Sequence, residues 1–337
     1  MTVEESREAF KEEVSEVSVK QLEKLQQYMM ENYDELAEQF TDVFKDYCQK
    51  VMAMQESGIK NILACIQFSL MRYKLVNSIY EFRIDAYDQN WYGDKVECTV
   101  AYDVTSIFFY LEEFSNELIE RRRKYMQRVT VCDVKQYVLE ESNKYKLAVT
   151  ELIRSALPQA VKLSEYELVK REDLFIITVG EFRDQSGLVY KEDGTEKDVE
   201  KVKKLLGTDK EDGHQYEIFD SLDLSDGCFS NVRWVYCSGI ESVFINVEIS
   251  NSMLMFCKFK DATFESVDFS NSDLVSLDFA GVTLKNIDFT DARIFQMNFE
   301  NAILENIDFT KAGRVDGINL ENATLINVIL PEDAEVV

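Results

Sequence analysis

The chain has 337 residues, 46% of them hydrophobic, and a formal net charge of −26 at neutral pH. That length and apolar content suit two or so domains with sizeable cores. The charge argues against direct binding to nucleic acid or an anionic membrane, both of which need a basic surface; basic partners and proteins that themselves bind DNA remain open.

The N-terminus, "MTVEESREAF", is acidic where a secretory leader needs a basic start and an apolar core. The most apolar stretch, "NILACIQFSLM", is interrupted by Gln67 and flanked by Lys60 and Arg72, short of the ~18 apolar residues of a membrane span. Both observations predict a cytoplasmic protein without membrane contact. The seven cysteines (Cys48, Cys65, Cys98, Cys132, Cys228, Cys237, Cys257) are odd in number and fit no metal or redox spacing, so free thiols are expected.

Residues 1–165 predict an all-α helical bundle. Leu22, Leu25, Met29, Tyr33, Leu36, Phe40 and Val43 recur at steps of three and four, as one apolar stripe on a long helix. Further stripes run Ile62, Ile66, Leu70, Tyr73, Val76, Tyr80, then Ile107, Leu111, Phe114, Leu118, Tyr125, then Val134, Tyr137, Val138, Tyr145, Val149, Leu152, with Pro158 marking the end of the last. Four such helices bury their stripes economically in a bundle. "DAYDQNWYGDK" predicts a loop with Gly93 at a turn.

Residues 166–218 predict a mixed α/β connector or cap: "LFIITVGEF" has strand composition, and "GTEKDVEKVKKLLG" is a short charged helix between glycines.

From Leu224 an apolar residue recurs at every fifth position: Phe229, Trp234, Phe244, Ile249, Leu254, Phe259, Phe264, Phe269, Leu274 and onward to Phe309. Gly239 is the gap, and an extra residue near "TKAGRVDG" shifts the phase before Val315, Leu320, Leu325 and Leu330. Neither a helix nor a strand has this period. A second apolar or small residue precedes each centre by two places, as in Val267, Leu277, Val282 and Ile287. Two inward and three outward residues per quintet describe a chain that turns a corner each time. Four corners per coil give a square solenoid with about one strand spacing, ~4.8 Å, between coils. A corner bulge is expected near Gly313 and Gly317, and an irregular first coil at Gly239.

"VDFSN", "SDLVS", "IDFTD" and "IDFTK" carry the pattern small residue, Asp or Asn, Leu or Phe, polar, any. Residues 219–331 thereby resemble the pentapeptide-repeat family. The resemblance implies a right-handed quadrilateral β-helix, followed here by an acidic tail, 332–337. The helical region resembles no family we can name.

If twenty residues make a coil, residues twenty apart stack in columns. One column reads Glu248, Asp268, Asp288, Asp308. These carboxylates either hydrogen-bond local backbone amides or form an anionic face mimicking phosphates. Another reads Val235, Met255, Val275, Phe295 at normally polar outward positions, with Tyr236, Met253 and Phe256 beside it. Such an apolar patch marks a contact surface, whose occupant is the protein's own helical domain, another protein or a second copy in a homodimer. A third, Asn246, Ser266, Asn286, Asn306, Asn327, reads as a structural ladder along the axis.

No phosphate loop, zinc spacing or nucleophile elbow is present, and His214, the only histidine, lies in a polar turn-like stretch. No catalytic residue, cofactor or metal is therefore expected. The basic cluster Arg121, Arg122, Arg123, Lys124 ends the third helix, where Glu117 and Glu120 can pair with it; a phosphate or acidic-peptide contact is the alternative. Trp91 and Tyr92 read as core or pocket-lining aromatics. The reading is a non-enzymatic protein-binding scaffold. The alternative, supplied by the resemblance, is a DNA mimic acting on a type II topoisomerase, since some pentapeptide-repeat proteins bind these enzymes, including those conferring quinolone resistance. Residues 219–337 carry 20 acidic and 7 basic side chains, the 218 residues before them 43 and 30, so negative charge is nearly twice as dense on the repeat.

Overall fold

The computed structural model describes residues 2–208 and 213–332; the acidic tail therefore lies outside the described residues except for Glu332. The chain divides into two compact units, Met1–Asp193 and Gly194–Val337.

The first unit opens with helices α1 (Val3–Glu31) and α2 (Tyr33–Glu56). Thr2 starts α1 with a capping box, its hydroxyl accepting from Glu5 N–H while Glu5 reaches back to Thr2 N–H. The single long helix expected here is interrupted at Asn32, whose side chain and backbone N–H both donate to the Tyr28 carbonyl. Helices α4 (Thr105–Arg121) and α5 (Val131–Ala160) follow the third and fourth stripes. The α5 helix ends at Ala160, within a turn of Pro158.

The all-α reading needs correction between and after these helices. Strands β1 (Leu63–Leu70), β2 (Glu81–Tyr87), β3 (Thr99–Asp103), β4 (Arg171–Glu181) and β5 (Ser186–Asp193) form a sheet in the order β3-β2-β1-β4-β5. Only the β1–β4 pair is parallel. The stripe from Ile62 to Tyr80 is thus a central strand followed by a short helix, α3 (Arg72–Leu75). Ile66, Phe68 and Leu70 face the helices and join Phe40, Phe44, Phe114 and Ile153 in one core. Gln67 and Ser69, on the opposite face, are buried too. A strand buried on both sides loses the period of two, and its apolar run then mimics a helix segment. The alternation Phe82, Ile84, Ala86 in β2, all buried, was the legible signal.

The segment 166–218 splits between the units. A short helix, α6 (Ser164–Leu168), β4 and β5 belong to the first, and α7 (Val199–Leu206) to the second. Leu206 joins the solenoid core, and Trp234 Nε1–H donates to its carbonyl at 3.3 Å.

The second unit is the expected solenoid. Its short strands stack in two walls. One contains β6 (His214–Gln215), β7 (Arg233–Val235), β9 (Met253–Met255), β11 (Asp273–Val275), β13 (Arg293–Asn298) and β15 (Arg314–Asn319). The other contains β8 (Val243–Glu248), β10 (Thr263–Asp268), β12 (Thr283–Lys285), β14 (Ile303–Asp308) and β16 (Thr324–Ile329). All are parallel, and through β14 they are offset by twenty residues, as Phe244–Phe264–Leu284 and Leu254–Leu274–Ile294 show. After the 3-10 turn at Phe309–Lys311 the offset becomes 21, as in Arg293–Arg314 and Ile303–Thr324, which locates the phase shift.

Every centre from Leu224 to Phe309 is buried, and phenylalanine rings stack coil on coil, Phe279 on Phe299 at 5.6 Å. The coil at Gly239 is regular, contrary to expectation: its N–H bonds the Lys258 carbonyl at 2.9 Å. A Cβ there would lie 2.4 Å from the Phe219 ring and 3.2 Å from that of Phe259, so rings from the neighbouring coils occupy the space a side chain would need.

Candidate interaction surface

The outward positions of the solenoid inherit the twenty-residue register. On the wall built by β7, β9, β11 and β13, Val235, Met255, Val275 and Phe295 are consecutive partners across the strands. The first three are half-buried and Phe295 is 39% exposed. Met253 and Phe256 are likewise more than a third exposed. The structure therefore brings together the apolar residues singled out from the sequence, on one wall.

Two further columns flank this one. At the adjoining corner, Tyr216, Tyr236 and Phe256 stack, with centroids 5.1 and 5.0 Å apart and rings tilted by 17° and 13°. Their φ angles are +55°, +56° and +56°, the left-handed region. Other corners fill this position chiefly with Asn, Asp or Ser, such as Asn231, Asn251 and Asp261. Left-handed backbone costs an ordinary side chain about 1–2 kcal/mol, which the short polar side chains of Asn and Asp offset by local hydrogen bonds. Three aromatics here adopt that backbone conformation, and ring stacking returns part of its cost. On the other side, Arg233, Met253, Asp273, Arg293 and Arg314 form a column. Arg293 pairs with Asp273, and Arg314 with Asp316 at 2.8 Å. Tyr216 and the arginine column were missed in the sequence, although the twenty-residue spacing that found Val235–Phe295 also generates them.

The acidic column occupies a different wall. Glu248 pairs with Asp268, and Asp268 with Asp288, in strand register. Glu248 and Asp288 are exposed, Asp268 and Asp308 half-buried. Each aspartate is tied down locally: Oδ1 accepts from the N–H two residues on, Ser270 at 2.7 Å, Thr290 at 2.9 Å and Thr310 at 3.1 Å. The Thr290 hydroxyl and N–H hold the Asp288 carboxyl below its usual range. A depressed folded value means that stability is gained above the unfolded value of ~3.9 and lost as pH falls through the folded one. Asp288→Asn should therefore lose stability less steeply than wild type below about pH 4. Urea unfolding at a series of pH values checks this, and equal slopes would refute it.

The Asn246–Asn327 ladder bonds along the axis where amides are adjacent: Asn306 Nδ2–H donates to Asn286 and Asn327 Nδ2–H to Asn306, both at 3.1 Å. His214 is buried beside Trp234 in the first coil, with Nε2–H donating to the Thr208 carbonyl at 2.7 Å. The basic cluster makes ion pairs: Arg121 with Glu16 and Glu117, Arg123 with Glu120, Lys124 with Glu13. Trp91 stacks on Tyr87, and Tyr92 O–H donates to Gln67. All seven cysteines are free, and burial pushes the Cys48 and Cys65 thiols up to about 12. Among the described residues no cluster of ligands could hold a metal, and no helix is long and apolar enough to cross a membrane.

The family model for pentapeptide repeats matches residues 257–294 in eight copies, and no family model matches the N-terminal region. No curated protein matches the chain. Solved structures similar to it include the pentapeptide repeat protein Rfr23 from the cyanobacterium Cyanothece 51142, at 14% identity, 36% of this chain, 90% of that one and a TM-score of 0.21. HetL from Nostoc sp. strain PCC 7120, involved in heterocyst differentiation regulation, matches at 12% identity, 36% and 87% coverage and a TM-score of 0.26. Trypsin-treated QnrB1, a plasmid-mediated fluoroquinolone resistance protein, matches at 14% identity, 36% and 79% coverage and a TM-score of 0.20. Residues 257–294, within the twenty-residue coils of the C-terminal unit, thus carry pentapeptide repeats.

Proposed function

We propose that the chain is a non-enzymatic scaffold that binds another protein on the wall carrying Val235, Met255, Val275 and Phe295. The observation behind this reading is the run of four consecutive apolar side chains in one outward column, where the matching column of the other strand wall is interrupted by Glu265, Lys285 and Glu305 between Ile245 and Ile326. Apolar side chains scattered singly over a surface need no explanation, whereas a contiguous patch points to a contact. A rigid stack of coils keeps these side chains in register before a partner arrives, so little ordering entropy is lost on binding.

Met255→Ser with Phe295→Ser is expected to weaken binding of a partner purified with the native protein by more than about tenfold, the loss of a modest hot spot. Thermal unfolding of the variant should stay close to wild type. Unchanged affinity would refute the assignment of this wall.

Mimicry of DNA toward a DNA-binding enzyme is the second reading. It is favoured by the density of carboxylates on the repeat and by the column Glu248, Asp268, Asp288, Asp308 at coil spacing. The local hydrogen bonds of the three aspartates weigh against it, because they supply a structural reason for those residues. A topoisomerase supercoiling assay with purified protein tests it; activity unchanged at high excess would sink it.

A further inference from the structure

We propose that the apolar wall receives an acidic amphipathic helix of a partner protein, laid along the solenoid axis; this rests on the protein-binding reading above. Three observations converge on that occupant.

The first is charge. Residues 219–337 contain only three arginines, Arg233, Arg293 and Arg314, and all three lie in the column beside Val235–Phe295. Against them, the neighbouring outward positions of this wall hold Asp273 and Asp316, on a repeat with 20 acidic and 7 basic side chains. The wall is thus the part of an acidic solenoid where carboxylates meet guanidinium groups; the four lysines of the repeat, Lys258, Lys260, Lys285 and Lys311, lie outside this column. The Arg293 and Arg314 side chains are 69% and 70% exposed, so their pairs with Asp273 and Asp316 are surface pairs, open to exchange for a partner's carboxylates.

The second is composition. Arginine, tyrosine, phenylalanine and methionine are the residues enriched in the cores of protein interfaces. Here they stand in three parallel columns, with the aromatic corner holding Tyr236 and Phe256 in a backbone conformation that aromatics seldom adopt.

The third is spacing. Coils repeat at about 4.8 Å, close to the 5.4 Å pitch of a helix and far from the ~6.8 Å between same-face residues of a strand. Over the three steps from Val235 to Phe295, a helix slips by about 2 Å and a strand by about 6 Å. A helix with an apolar stripe therefore keeps register with the column, and a carboxylate flank beside that stripe faces the arginines.

The test immobilises the full chain and selects from a phage-displayed library of random ~16-residue peptides, about 24 Å long as helices. Enriched peptides should carry apolar residues at steps of three and four with Asp or Glu beside them. Replacing those acids by Lys in synthetic copies should weaken binding at least about tenfold. Arg293→Ser with Arg314→Ser, and separately Met255→Ser with Phe295→Ser, should reduce enrichment similarly, in variants whose far-UV circular dichroism matches wild type. Basic consensus sequences, or binding indifferent to both variants, would overturn the proposal. Binding lost only in Asp268→Asn with Asp288→Asn would also overturn it, yet leave the protein-binding reading standing. No enriched peptide at all overturns it as well; if affinity purification from the native cell then returns no partner, the scaffold reading falls with it.

Discussion

Phe264→Ala should destabilise the solenoid unit by about 3–5 kcal/mol, the usual cost of a buried aromatic truncated to alanine. Phe264 is fully buried, and its ring meets four others: Phe244 stacked at 4.4 Å, Phe259 at 5.3 Å edge-on, Phe279 at 5.4 Å edge-on and Phe269 at 5.9 Å. Parallel coils are tied by backbone hydrogen bonds above and below, so they cannot close in to fill the void, and the cavity cost persists. The outward neighbour Glu265→Ala should change stability by less than about 0.5 kcal/mol. Urea unfolding of both variants, followed by far-UV circular dichroism, makes the comparison. A loss below about 1 kcal/mol at Phe264 would mean that the rings repack, against the rigid stacking described above.

An effect of similar size is expected in the first unit from Lys60→Met. Lys60 Nζ lies 2.5 Å from Asp94 Oδ2 and 2.6 Å from the Val96 carbonyl, and the two side chains are 1% and 4% exposed. Asp94 also accepts from the N–H groups of Asp88 at 3.1 Å and Val96 at 2.9 Å, pinning the loop between β2 and β3. Methionine keeps the volume of lysine but leaves the Asp94 carboxylate buried without its cation. Breaking such a pair costs about 3–5 kcal/mol, most of it the penalty of the abandoned charge. Lys60→Met with Asp94→Asn removes that charge and keeps an acceptor for the loop amides. The double variant should therefore recover at least about 1 kcal/mol relative to the sum of the two single changes. Additive losses in thermal or urea unfolding would show that the pair is not coupled as its geometry implies.

Much of the second unit could be read from the sequence because its rule is local. Each quintet turns inward the residues that are apolar, and the partner of any residue is twenty places away. One repeat length therefore predicts both core and surface columns. Counting alone puts Asp268 and Val275 on different walls, where they lie. The same counting, started from Tyr216 and Arg233, generates the aromatic and arginine columns. It could not show that the Gly239 coil stays regular, because that depends on how the Phe219 and Phe259 rings lean.

The first unit obeys no such rule. Its helices α4 and α5 were legible because each shows one apolar stripe to one core. The sheet was hidden because β1 takes its partners from β2 next door and from β4 a hundred residues later, and both of its faces are covered. For this protein, then, the amino-acid order by itself determined the square solenoid, its buried centres and the wall on which Met255 and Phe295 stand, since short-range turning and a constant offset suffice. Only the tertiary structure decided that residues 63–70 are a strand, that Lys60 and Asp94 meet in the interior, and that Asp268, Asp288 and Asp308 commit their carboxylates to the backbone. Those outcomes depend on distant segments or on side-chain direction, which local periodicity does not encode.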